Sequence, residues 1–320
     1  MLEYLENKMK KELLFSFASP SRDDLNVYGY RFGEENCDKK IAIVSGLNGE
    51  EISGVFACSQ LVRFLNEKIS LNPNFINCEI LVIPSVNHFA LNMGKRFWPL
   101  DNTDLNVMFP GYDKGETTQR IAHKLFEVIK DFEYGIILED RKDKASCLPY
   151  VKLFETGYED TQGAKDFGLT FIHKKEVDPI DSGSLLYNWG VWEAKCYSLV
   201  SGNNKHLFRD DSQNILDSLI RFLTKKNVIN FNIFGGQESF VISRENIEIV
   251  KAKNAGIFRP STVPSARVKK GDILGIIYDS LNGEIKEKII APCDGLVTCL
   301  YSYPLIFEHT VAFRIAKFDS

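Results

Sequence analysis

Two hydrophobic rhythms divide this chain. Over roughly the first 225 residues, short aliphatic runs alternate with segments whose apolar positions return every three or four residues. Ile41–Val44, Cys78–Pro84 and Gly135–Leu138 read as buried strands, and Ser53–Asn66 and Thr117–Lys130 as amphipathic helices. In the second helix Ile121, Leu125, Phe126, Val128 and Ile129 supply the apolar face. Strands alternating with helices predict a largely parallel sheet covered by helices. Ligands on such sheets sit beyond the carboxyl ends of the strands, which is where the turn SGLNGEE, Ser45 to Glu51, would fall. The rhythm changes near Lys225–Gln237. Beyond it short strands dominate, at Ile247–Lys251, Asp272–Tyr278, Glu284–Ile290, Gly295–Tyr301 and Thr310–Ala316, with Gly, Asn and Pro at the turns. The expected organisation is an α/β domain over residues 1–228 and a β-rich domain over 229–320.

Composition narrows the function without choosing it. The 320 residues are 44% hydrophobic and 26% charged, with a net charge of −4, so neither a nucleic-acid partner nor an anionic membrane gains support. No apolar run approaches the ~18 residues of a membrane span. The N-terminal MLEYLENKMKKELLF is charged and amphipathic and lacks the apolar core of a signal peptide. The seven cysteines (Cys37, Cys58, Cys78, Cys147, Cys196, Cys293, Cys299) are scattered and odd in number, with no C-x-x-C pair. They are expected to be reduced and structural, in a cytoplasmic protein. A homo-oligomer is left open.

The candidate chemistry begins in the turn. Glu51 follows Asn48 by three residues, a spacing that can aim two side chains at one point. A His and a Glu so placed would chelate zinc; here the first is Asn.

Three segments in order resemble one family, the succinylglutamate desuccinylase/aspartoacylase proteins, which are zinc-carboxypeptidase-like deacylases. SGLNGEEISG, Ser45 to Gly54, is similar to its Gly-x-His-Gly-x-Glu loop. Ile80 to Gly111, with its Arg-Phe pair and DLNVMFPG run, resembles the family's second conserved stretch. Gly256 to Val297 resembles its C-terminal β domain. The resemblance implies a mixed, largely parallel sheet flanked by helices, followed by the β-rich domain. It also implies one zinc ion and hydrolysis of the amide of an N-acyl amino acid or peptide-like molecule. Carried over residue by residue, the metal positions are Asn48, Glu51 and Glu139, with Asp140 as the inward residue if the register shifts by one. Arg96 falls at the transition-state-stabilising arginine. The Asn-Arg pair that grips a substrate carboxylate becomes Asn106-Val107, so Asn106 is carried over as a catalytic and substrate-binding position. The catalytic Glu position, in Ser198 to Gly202, holds Val200. His88 takes the place of a family Pro in a loop near the pocket, where it would touch substrate.

These exchanges bear on mechanism. Zinc hydrolysis needs a metal to acidify water, a carboxylate to move its proton, and a cation for the oxyanion. Of these, Arg96 alone keeps its family residue. An all-oxygen set of Asn48, Glu51 and Glu139 suits a harder divalent metal than zinc, or none. Without an Arg at Val107, the bidentate hold on a carboxylate is lost. His123, His173, His206 and His309 read as solvated or structural. VKKGDILG and APCDGLV also resemble biotin- and lipoate-carrying hammerhead domains, but no Lys stands at the hairpin tip Ser280–Gly283. The β domain therefore reads as structural or pocket-capping. Three functions follow: a divergent metal-dependent hydrolase; a catalytically silent relative binding a small-molecule or peptide-like ligand or a partner; or zinc-free catalysis with Glu51 or Glu139 as base.

Overall fold

A computed structural model describes residues 9–19, 23–34, 37, 39–141, 144–202 and 209–317. The chain forms two compact units. The first joins Met1–Asp140 to Pro149–Phe240, and the second joins Arg141–Leu148 to Val241–Ser320.

In the first unit the described strands are β1 (Met9–Phe17), β2 (Leu25–Phe32), β3 (Lys40–Ser45), β4 (Glu79–Ile83) and β5 (Tyr134–Glu139). The chain then gives β6 (Ala145–Cys147) to the second unit and returns as β7 (Tyr150–Phe154), β8 (Phe171–Lys175), β9 (Lys195–Val200) and β10 (Phe240–Ile242). The sheet order is β1-β2-β4-β3-β5-β9-β7-β8-β10. Its centre, β4-β3-β5-β9, is parallel, as is β7-β8, while β1-β2, β2-β4 and β7-β9 are antiparallel. The charged N-terminal stretch enters this sheet as an outer strand; its first eight residues lie outside the described residues.

The predicted strands and helices are present. Helix α1 (Ile52–Leu71) runs further than expected, because the pattern continues through Ile69. It stops at Asn72, which is extended (φ −137°, ψ 104°) because Pro73 disfavours a helical residue before it. Next come α2 (His88–Asn92), α3 (Thr117–Ile129), α4 (Thr161–Ala164), α5 (Leu185–Val191) and α6 (Arg209–Lys225). Successive strand residues feed opposite faces. Ile41, Ile43, Ile80, Val82, Ile136 and Leu138 pack with α1 and α6, while Ala42, Val44, Leu81, Ile83 and Ile137 pack with α3 and Trp189. Covering both faces explains why β3, β4 and β5 are almost continuously apolar.

The second unit is antiparallel throughout. Its further strands are β11 (Ile247–Lys251), β12 (Gly256–Pro260), β13 (Arg267–Val268), β14 (Ile273–Tyr278), β15 (Ile285–Ile290), β16 (Gly295–Tyr301), β17 (Leu305–Ile306) and β18 (Val311–Lys317). They form the sheets β11-β18-β16-β13 and β15-β14-β12-β17 around Phe258, Leu274, Val297 and Phe313.

Two features differ from the sequence expectation. The units part at Phe240 rather than near residue 228, because the intervening stretch packs on the first unit. Ile229 is buried in that core, the Asn230 amide donates to the Phe75 carbonyl at 2.8 Å, and Phe231 stacks edge-on against Phe64 and Phe75. The thiols are not all reduced either: Cys147 and Cys299 form a disulfide, while Cys37, Cys58, Cys78, Cys196 and Cys293 are free. The two partners lie 152 residues apart and become neighbours only because β6 pairs with β16, with Cα atoms 4.1 Å apart. Cys147→Ser is expected to cost the second unit about 2–4 kcal/mol, read by urea denaturation. Non-reducing peptide mapping should recover both cysteines in one linked fragment.

Candidate active site

The turn between β3 and α1 is held by backbone. Gly46 takes a left-handed conformation (φ 65°), and its carbonyl accepts from the Asn87 amide at 2.8 Å. Three residues on, Gly49 lies so close to the chain of Ala90 and Lys95 that any Cβ would collide with both. Its amide donates to the Arg96 carbonyl at 3.2 Å. The turn is thereby fixed against the segment carrying His88 and Arg96. Inside it Asn48 and Glu51, each 2% exposed, face one another. The Asn48 backbone amide donates to Glu51 Oε2 at 3.1 Å, and Asn48 Nδ2 donates to Glu51 Oε1 at 3.3 Å. The three-residue spacing does bring the two side chains together, and Asn48 spends its donors on Glu51. Asn48 Oδ1 is buried without a hydrogen-bond partner.

The other half of the site stands at the end of β5, next to β3 in the sheet. Glu139 and Asp140 are both buried but point to different partners. Asp140 accepts from the Ser53 amide at 2.9 Å, in the first turn of α1, and from Ser201 Oγ at 2.8 Å. Burial raises its pKa, and these donors oppose the rise. Glu139 instead receives Lys152 from β7, with Nζ 2.6 Å from Oε2. In the strand register Lys152 and Ile137 both align with Ser198 of β9, which lies between their strands, so Lys152 is two residues, one same-face step, from the row of Glu139 and Val200 and meets the carboxylate diagonally. On its other side Lys152 aligns with His173. Burial pulls the Lys152 pKa down, but the Glu139 carboxylate, with Tyr150 and Asp181, pushes it up, and the net direction is upward, so the ammonium stays charged. Lys152 escaped the sequence reading. Its one signal is a cation inside the otherwise apolar strand Tyr150–Phe154.

The remaining candidates have local partners. Arg96 Nη2 donates to Asp104 Oδ2 at 2.9 Å, and Asp104 Oδ1 accepts from the Asn106 amide at 3.0 Å. The buried Asn106 side chain accepts from the Leu185 amide at 3.2 Å and so closes the start of α5. His88 is half-buried beside Phe89, and burial lowers its pKa, favouring the neutral ring. Val200 lies beside Glu139 in register and offers no proton acceptor. His173 packs edge-on against Tyr150, His309 is exposed, and His206 lies outside the described residues.

The resemblance implies zinc, and these side chains fit it poorly. Among the described residues no group of three or more His, Cys, Asp or Glu is placed to hold a metal. Of the three positions carried over, Glu139 is bound by an ammonium and Asn48 directs its amide hydrogens at Glu51. Imidazole, the donor that suits zinc, is missing from all three.

Residues 37–138 match the family model of the Succinylglutamate desuccinylase/Aspartoacylase catalytic domain. An aspartoacylase family protein from Mesorhizobium loti shares the fold with a TM-score of 0.75 at 16% identity, over 99% of this chain and 97% of that one. A succinylglutamate desuccinylase from Silicibacter sp. TM1040 gives 0.76 at 14% identity, over 97% and 94%. The product-bound ectoine utilization protein EutE (DoeB) from Ruegeria pomeroyi gives 0.76 at 16% identity, over 98% and 97%. No protein of curated description matches the sequence. The class is therefore an α/β fold with an antiparallel β unit. Within that class the chain has the fold of the succinylglutamate desuccinylase/aspartoacylase proteins, as its motifs led us to expect.

Two substitutions test the geometry. Gly49→Ala should cost about 1–3 kcal/mol by overpacking, seen as a lower urea midpoint. Lys152→Met, which strands a buried carboxylate, should cost about 3–5 kcal/mol by the same measurement.

Proposed function

We propose that this chain is a metal-free relative of the deacylases that binds a small-molecule or peptide-like ligand, or a partner, without hydrolysing it. One observation carries the reading. Glu139, which stands at a metal-ligand position by resemblance, is neutralised by the Lys152 ammonium at 2.6 Å. With Asn48 turned onto Glu51 and Val200 at the general-base position, neither the metal nor the proton shuttle of zinc hydrolysis has its usual support. Arg96 lies in the segment clamped to the turn, where its guanidinium is paired with Asp104 at 2.9 Å. The absence of an Arg at Val107 argues against a simple amino-acid carboxylate held bidentately. A cytoplasmic location is part of this proposal: five cysteines are left unbridged, which favours it, while the Cys147–Cys299 bridge is a bond that a reducing compartment disfavours. Among the described residues no helix is long and apolar enough to cross a membrane.

A second reading has its own support. The match of residues 37–138 to the catalytic-domain model favours a divergent deacylase acting on an N-acyl amino acid or peptide-like amide. Elemental analysis of protein purified without chelator, with a hydrolysis assay on a panel of N-acyl amino acids, separates the two. The binding reading expects substoichiometric metal and no turnover. Stoichiometric zinc, or turnover abolished by Glu51→Ala or Arg96→Ala, would overturn it in favour of the deacylase.

A further inference from the structure

Buried charge is the starting point. The fold gathers Glu51, Glu139 and Asp140 at the carboxyl ends of β3 and β5, each no more than 5% exposed. Carboxylates so placed require compensation. Asp140 is served by the first turn of α1 and by Ser201, and Glu51 by the two donors of Asn48. Glu139 is served by a full positive charge on Lys152, a side chain only 18% exposed.

We propose that Lys152 is an internal cation that takes over, through a covalent tether to β7, the charge-balancing place a divalent metal would fill at Glu139. Three structural facts support this. The ammonium comes from a strand that is apolar apart from Lys152, so solvation does not explain its presence there. It reaches inward past the buried Ser198 row, in line with His173, to a carboxylate at a strand end. Finally, Asn48 Oδ1, a further oxygen at the carried-over ligand positions, is left buried and unpartnered. A tethered monovalent cation needs no metal supply and cannot dissociate. It also cannot polarise a water as a divalent ion does. The inference rests on the metal-free reading of the site and adds that, beside the missing imidazoles, the Lys152 ammonium itself stands against a metal at Glu139.

The experiment compares full-length wild-type, Lys152→Met, Lys152→Arg and the double variant Lys152→Met/Glu139→Gln by calorimetric titration with Mn²⁺ and Zn²⁺. Thermal shift and near-UV circular dichroism serve as fold controls. Lys152→Met should bind Mn²⁺ at least about tenfold more tightly than wild-type, whereas Lys152→Arg and the double variant should match wild-type. If Lys152→Met is unfolded without metal, recovery of its near-UV spectrum on adding Mn²⁺ supports the proposal equally. Equal and weak binding by wild-type and Lys152→Met, with the double variant folded, overturns the internal-cation role and leaves the metal-free reading standing. Tight stoichiometric metal in the wild-type overturns both.

Discussion

The site depends on one constraint, that a carboxylate taken out of water must meet a compensating charge or a set of donors. The α/β fold places the ends of two adjacent parallel strands, β3 and β5, beside the start of a helix, and acidic side chains there sink below the surface. Each is balanced by a different device: helix amides and a hydroxyl for Asp140, an asparagine for Glu51, an ammonium for Glu139. All three are buried, where an uncompensated charge is expensive. Stability and chemistry are therefore tied together at this point in the molecule.

Much of the architecture could be read from the chain. Continuous aliphatic runs at Ile41–Val44 and Gly135–Leu138 mark strands covered on both faces, and the helical period of Thr117–Lys130 sets α3 almost to the residue. The C-terminal strands are equally visible, since alternation and turn residues are local signals. Features that depend on long-range pairing were not visible. The excursion of Arg141–Leu148 into the second unit, and with it the Cys147–Cys299 bridge, follows from the meeting of β6 and β16, which no local pattern announces.

The site divides along the same line. Asn48 and Glu51 are three residues apart, so their contact could be anticipated. The choice between Glu139 and Asp140 could not be made from one strand, because adjacent residues face opposite sides of the sheet; both are buried, and each is used. The Lys152–Glu139 pair depends on a strand order in which β9 lies between β5 and β7. Asn106 shows a further limit. A resemblance assigns it to substrate, while in the folded chain its side-chain oxygen closes the first turn of α5. One side chain can serve local structure whatever else it does.

Gly49 shows how sterics alone can fix the course of a turn. Its place against Ala90 and Lys95 excludes every side chain, so the path of the turn is dictated by sterics and not by what the neighbouring residues do. At position 48 the constraint is of another kind, since Asn48 is held by its hydrogen bonds to Glu51. Similarity detected through glycines and strand cores thus reports on the scaffold.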